Sequence, residues 1–124
     1  MVVACHDPDE RSVLVGFYDD PAEPSRYLLL QRSLDPDDQD RTLGHDTWHI
    51  EWCGQEHSMY GGIEEFALGI STARVRFALP SVDALGGLSE LLIRFSLPSG
   101  GFEALDKSLK AIFAGDSCFI RANA

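Results

Sequence analysis

Hydrophobic and polar positions alternate with a period of two over most of the chain, and one stretch near the C-terminus switches to the helical period. Residues 12–18 (SVLVGFY) are β-branched and aromatic and lie between the turn-forming flanks DPDE and DDPAEPS, which predicts a strand. Residues 1–5 are short and apolar and predict an edge strand. Residues 26–33 (RYLLLQRS) have a continuous apolar centre, the pattern of a central strand covered on both faces. The acidic connection 34–46 is expected to be a solvated loop or a single helical turn. Residues 47–53 alternate cleanly, with Trp48, Ile50 and Trp52 on one face and Thr47, His49, Glu51 and Cys53 on the other.

Gly54-Gln55 predicts a tight turn and residues 56–61 the returning strand of a hairpin. Gly61-Gly62 predicts a bulge or a kink before residues 63–70, where Phe66, Leu68 and Ile70 share a face with Glu64. In residues 73–79 Val75, Phe77 and Leu79 alternate with Arg74, Arg76 and Ala78. Residues 81–85 predict one turn of helix closed by Gly86-Gly87. Residues 88–97 return to strand, with Leu91, Ile93, Phe95 and Leu97 on one side.

The period changes at residues 102–114. Phe102, Leu105, Leu109, Ile112 and Phe113 form one apolar stripe, acids come early and lysines late, and Gly115 is placed to end the helix. A last short strand is expected at 118–121. Strands joined mostly by short turns require antiparallel pairing, and one amphipathic helix needs a sheet face to bury against. The predicted class is α+β: one domain over residues 1–124, with a curved, mostly antiparallel sheet of six to eight strands packed on the C-terminal helix.

Charge adds a second layer. The 124 residues carry a formal net charge of −10, and residues 1–40 hold ten acids against three arginines. That balance repels nucleic acid and anionic membranes, so neither is an expected partner, and it favours solubility or a basic protein partner. Three cysteines without CxxC spacing read as free thiols in a reducing compartment. The N-terminus lacks the basic and apolar regions of a secretory signal, so a cytoplasmic location is expected.

Candidate chemistry concentrates in residues 46–68, which hold both tryptophans, His49, Cys53 and His57. Zinc accepts such ligands, but strand residues four apart lie about 13 Å apart, too far for His49 and Cys53 to share one ion. A Cys–His nucleophilic pair would need an orienting group and an oxyanion hole, and neither is apparent. Asp35, Asp37 and Gln39 alternate as calcium ligands do, without the glycine and closing glutamate of an EF-hand. Glu51, Glu56, Glu64 and Glu65 are acids in an acidic chain and read first as solvated. Trp48, Trp52, Tyr60 and Phe66 suit either a core or an interface. The residues themselves therefore specify no catalytic, cofactor-binding or metal site.

The order YLLLQRSL, an acidic DPDDQD loop, LGHDTWHIEW, GQEHSMYGGIE and then an alternating VRF strand resembles immunity protein family 10 of bacterial polymorphic-toxin systems, from about residue 27 to residue 77. The resemblance implies a protein that binds and neutralises a cognate toxin, built as an α+β domain without cofactor or enzymatic residues. With the acidity, it makes a basic nuclease a natural target. The expected partner-binding residues are Asp35, Asp37, Asp38, Asp40, His49, Glu51, Glu56, His57 and Tyr60. Two other readings stay open: a small hydrolase or metal-binding enzyme using His49, Cys53 and His57, and a homodimeric structural module joined through a strand edge.

Overall fold

The first half of the chain forms a five-stranded antiparallel meander. In the computed structural model, which describes residues 2–6, 12–20, 22, 26–33, 38–43 and 47–122, β1 (Val2–His6), β2 (Ser12–Tyr18), β3 (Tyr27–Ser33), β4 (His49–Trp52) and β5 (Ser58–Tyr60) each pair with the next. Helix α1 (Asp38–Thr42) lies in the acidic connection between β3 and β4, as the single helical turn expected there. The second sheet contains β6 (Ile63–Leu68), β7 (Thr72–Phe77), β8 (Glu90–Arg94) and β9 (Phe119–Arg121) in the order β8-β7-β6-β9. Helix α2 (Leu79–Val82) joins β7 to β8, and α3 (Gly101–Phe113) joins β8 to β9.

The α+β class, the antiparallel bias and the C-terminal helix match expectation. The strands number nine among the described residues and divide into two sheets rather than curving as one. The division falls at Gly61-Gly62, whose φ values are 73° and 84°. Gly61 N–H donates to the Trp48 carbonyl at 2.7 Å, completing the first sheet, while the Gly62 carbonyl accepts from Ala78 N–H at 2.9 Å, opening the second. Two adjacent residues thus serve two sheets, and the left-handed backbone that allows it favours glycine. The last strand lies where expected and is a parallel member of the mostly antiparallel set: β9 runs parallel to β6, because the chain returns through α3 and arrives from the other end.

Each sheet turns one apolar face inward. Val13, Val15, Phe17, Leu28, Leu30 and Ile50 of the first sheet are fully buried, as are Phe66, Leu68, Ala73 and Val75 of the second. The Phe17 ring lies 6.3 Å from Phe66 and 6.2 Å from Phe95, so the two sheets touch directly there. Helix α3 packs on β1, β2 and β3 and inserts Leu105, Leu109, Ile112 and Phe113 into the same core. Phe113 meets Trp48 edge-on at 5.0 Å, Phe66 at 5.5 Å and Phe119 in a stack at 5.4 Å. The C-terminal end of α3 is held by Arg32, which donates to the Ile112 carbonyl at 2.8 Å, a cation placed where the helix presents unpaired carbonyls.

Local differences from the expected pattern have local causes. A register shift between Ile63 and Glu65 throws Glu64 to the outside, away from the Phe66 face on which alternation had placed it. Ile70 lies beyond the end of β6 and is exposed. The helical turn α2 begins two residues earlier than expected, with Pro80 in its first turn, and Leu79 leaves β7 for it. Gly87 N–H then donates to the Val82 carbonyl at 2.8 Å, closing the turn as expected.

Asp106 ties the last strand to α3. It is 8% exposed and bonds Lys110 Nζ at 2.9 Å and Arg121 Nε at 3.0 Å. The Arg121 hydrogen bond chiefly holds its carboxyl below the usual range, with burial opposing and Lys110 assisting. The Arg121 guanidinium also sits 4.6 Å over the Phe102 ring. A lowered folded pKa means that this contribution is present above the ordinary carboxylate pKa of about 4 and disappears as pH falls through the folded value. Asp106→Asn is expected to cost about 1–2 kcal/mol at pH 7, discounted because both cations are half-exposed and stay hydrated. Urea titrations at neutral and strongly acidic pH check this: the gap between variant and parent should close in acid.

Candidate functional site

The meander leaves one face of the first sheet outside the core, because α3 and the second sheet both lie on the other side. Strand pairing sets what this face carries. Leu14 pairs with Gln31, Gln31 with His49 and His49 with Tyr60, giving one row across four strands. Gly16, Leu29, Glu51 and Ser58 form the next row, and Tyr18 with Tyr27 the third. Leu14, Tyr18, Tyr27, Leu29, His49, Glu51 and Ser58 are half-buried, and Gln31 and Tyr60 are exposed.

Aromatic rings order this surface. His49 and Tyr60 meet edge-on with ring centroids 4.8 Å apart, and Tyr18 lies 6.1 Å from Tyr27. Tyr18 folds back over Gly16, where an added Cβ would fall 2.5 Å from its hydroxyl oxygen. Only glycine leaves room for that ring to lie flat on the sheet. The Tyr27 hydroxyl donates to Glu51 Oε2 at 2.5 Å. That bond, reinforced by burial and by the Glu51 charge, pushes the Tyr27 hydroxyl up to about 12, so it remains a donor at any physiological pH. Glu51 is thereby fixed in direction within a largely aromatic and apolar surrounding.

The structure brings together three of the expected partner-binding residues, His49, Glu51 and Tyr60. It separates His57 from them: Ser58 and Tyr60 share the outer face, so His57 points to the other side, and its ring packs against Gly86. Glu56 is exposed in the β4–β5 turn, with its carboxylate folded over Gly54. Asp38 is exposed at the start of α1, and Asp40 lies within α1. Asp35 and Asp37 lie outside the described residues. Tyr18, Tyr27, Leu14 and Leu29 join the face without having been singled out from sequence.

The enzyme reading drew on the region of His49, Cys53 and His57, and the structure gives each of them a different neighbour. His49 meets Tyr60, His57 meets Gly86, and Cys53 takes a left-handed backbone (φ 55°) with its thiol 3.9 Å from the Tyr27 carbonyl. No group of three or more His, Cys, Asp or Glu side chains among the described residues is arranged to hold a metal ion. Burial, followed by the bond to Asp116, raises the Cys118 thiol to about 12, which keeps it protonated and poorly nucleophilic. No helix among the described residues is long and apolar enough to cross a membrane.

No curated protein and no solved structure matches the chain. A family model does, over residues 1–103, a span that includes both sheets except β9 and ends at the start of α3. On that match the chain belongs to the immunity protein 10 family, and it is by family an immunity protein directed against a toxin.

Proposed function

We propose that this protein neutralises a cognate bacterial toxin in the cytoplasm by binding it directly, that the toxin is a basic protein of the nuclease kind, and that an acidic surface makes the contact. Membership of the immunity protein 10 family is the observation that carries the reading. The charge supports its finer part. A net charge of −10, with half of the twenty acids in residues 1–40, steers a basic partner towards the chain and disfavours nucleic acid. Asp38, at the start of α1 in the acidic connection, is exposed to such a partner. Neutralisation by occupancy needs a tight complementary surface and no catalytic group of its own.

Co-expression tests the reading. Where a gene adjoining this one encodes a polymorphic-toxin domain, cells producing that domain should grow when this chain is present and stop growing when it is absent. Continued arrest with the chain abundantly produced would remove the reading. Charge reversal in the acidic connection gives a finer prediction. Asp37→Lys with Asp38→Lys should slow association with that toxin domain by about tenfold at low salt, with a flatter salt dependence and little change in dissociation. Stopped-flow mixing at several salt concentrations reads both rates. An unchanged association rate would exclude the connection from the interface.

A further inference from the structure

The two sheets treat their surface carboxylates in opposite ways. On the outer face of the second sheet the glutamates are matched by arginines of the same sheet: Arg74 lies 2.9 Å from Glu90, and Arg76 lies 3.4 Å from Glu64 and 3.7 Å from Glu65. On the outer face of the first sheet Glu51 is half-buried and receives the Tyr27 hydroxyl, and among the described residues no cation reaches it. A half-buried carboxylate aimed by a tyrosine, with no cation on it among the described residues, is arranged for a cation from outside the chain. Tyr18, Tyr27, His49 and Tyr60 supply flat rings on which a guanidinium can also stack. Rigid aromatics around one charged anchor are what the centre of a tight protein interface contains.

We propose that the open face of the first sheet is the toxin-docking surface and that Glu51, positioned by Tyr27, receives an arginine of the basic toxin. This rests on the functional reading above and adds to it the place of contact and the chemistry at its centre. A carboxylate has about four acceptor sites, and the Tyr27 hydroxyl uses one of them on Oε2, so Oε1 and the second site of Oε2 can still accept the two parallel bonds of a guanidinium. The occupant is a cationic protein surface because the face offers a carboxylate and ring faces, on a chain of net charge −10.

The experiment measures binding of the full chain and its variants to the toxin domain encoded by the adjoining gene, by titration calorimetry. Glu51→Arg should weaken binding by about a hundredfold or more, and the nearly isosteric Glu51→Gln by about tenfold. Tyr27→Phe, which removes only the positioning hydroxyl, should weaken it by about threefold to tenfold. Glu90→Arg on the other sheet should stay within about twofold of the parent. Retained circular dichroism in Glu51→Gln separates lost contact from lost fold. If the parent chain binds and Glu51→Arg binds within about twofold of it, the docking surface is overturned and the toxin-binding function stands. An equal loss in Glu90→Arg would overturn it too, by reducing the effect to general charge. Light scattering that showed a dimer dissociated by Glu51→Arg would assign the face to a second copy and overturn it. A parent chain that does not bind the toxin domain removes the function and this inference together.

Discussion

Replacing Phe66 with alanine is expected to lower the free energy of unfolding by about 3–5 kcal/mol. Phe66 is fully buried and stands where all the layers meet. Its ring lies 6.3 Å from Phe17 of the first sheet, 5.5 Å from Phe113 of α3 and 6.1 Å from Phe119 of β9. Truncation loses the transfer of a large ring out of water and opens a cavity that cannot readily collapse, because each neighbour belongs to a different element. Domains of this size are stable by about 5–15 kcal/mol, so the variant should lose a large share of its stability and be partly unfolded at modest denaturant. A urea titration followed by tryptophan fluorescence measures it, since Trp48 lies against Phe113 in the same cluster. A loss below about 1 kcal/mol would mean that the two sheets and α3 do not share one core.

Gly62→Ala should cost about 2–3 kcal/mol, although it adds a single methyl group. Gly62 has φ 84°, where an L-residue is strained by about 1–2 kcal/mol. Its Cβ would also meet Met59 Sδ at 2.8 Å and Ser81 Oγ at 3.0 Å. The methionine sulfur can give way, whereas Ser81 is buried in α2 and has less freedom to move. Gly61→Ala is the internal control: its φ is 73° but its Cβ would meet nothing within 4 Å. It should show the strain alone, about 1–2 kcal/mol. Equal losses at the two positions would remove the close approach of Met59 and Ser81 from the account of the sheet-to-sheet crossing.

Much of the fold was legible because it depends on local periodicity. The β-branched run 12–18 and the apolar stripe of residues 102–113 lie where expected, since a strand and an amphipathic helix are both written in neighbouring residues. Trp48 and Ile50 turn inward as their alternation required. The divided sheet was not legible, because a glycine pair that kinks one sheet and a pair that separates two carry the same letters. What distinguishes them is which strands Trp48 and Ala78 pair with, a long-range fact. The parallel pairing of β9 is hidden for the same reason: three residues pair with a strand more than fifty positions earlier.

The candidate site divides along the same line. His49, Glu51 and Tyr60 could be placed on one surface by counting alternation through a hairpin. The Tyr27–Glu51 bond could not, because it requires the register between β3 and β4 across a connection of fifteen residues, 34–48. Tyr27 read as the second residue of a central strand, and its role emerges only when Leu29 is set opposite Glu51. His57 was grouped with its sequence neighbours, but the β4–β5 turn puts Ser58 opposite Glu51 and so sends His57 to the other face. Proximity in sequence misled there because successive strand residues point in opposite directions.

The central claim is that the chain acts by holding a toxin rather than by chemistry of its own. Titrating the purified full chain into the toxin domain encoded by the adjoining gene, with the mass of the mixture read by light scattering, tests it most directly. The account predicts a saturable complex of one copy of each, with a dissociation constant of about 10 nM or below. A mixture that keeps the two separate masses at micromolar concentration would contradict it.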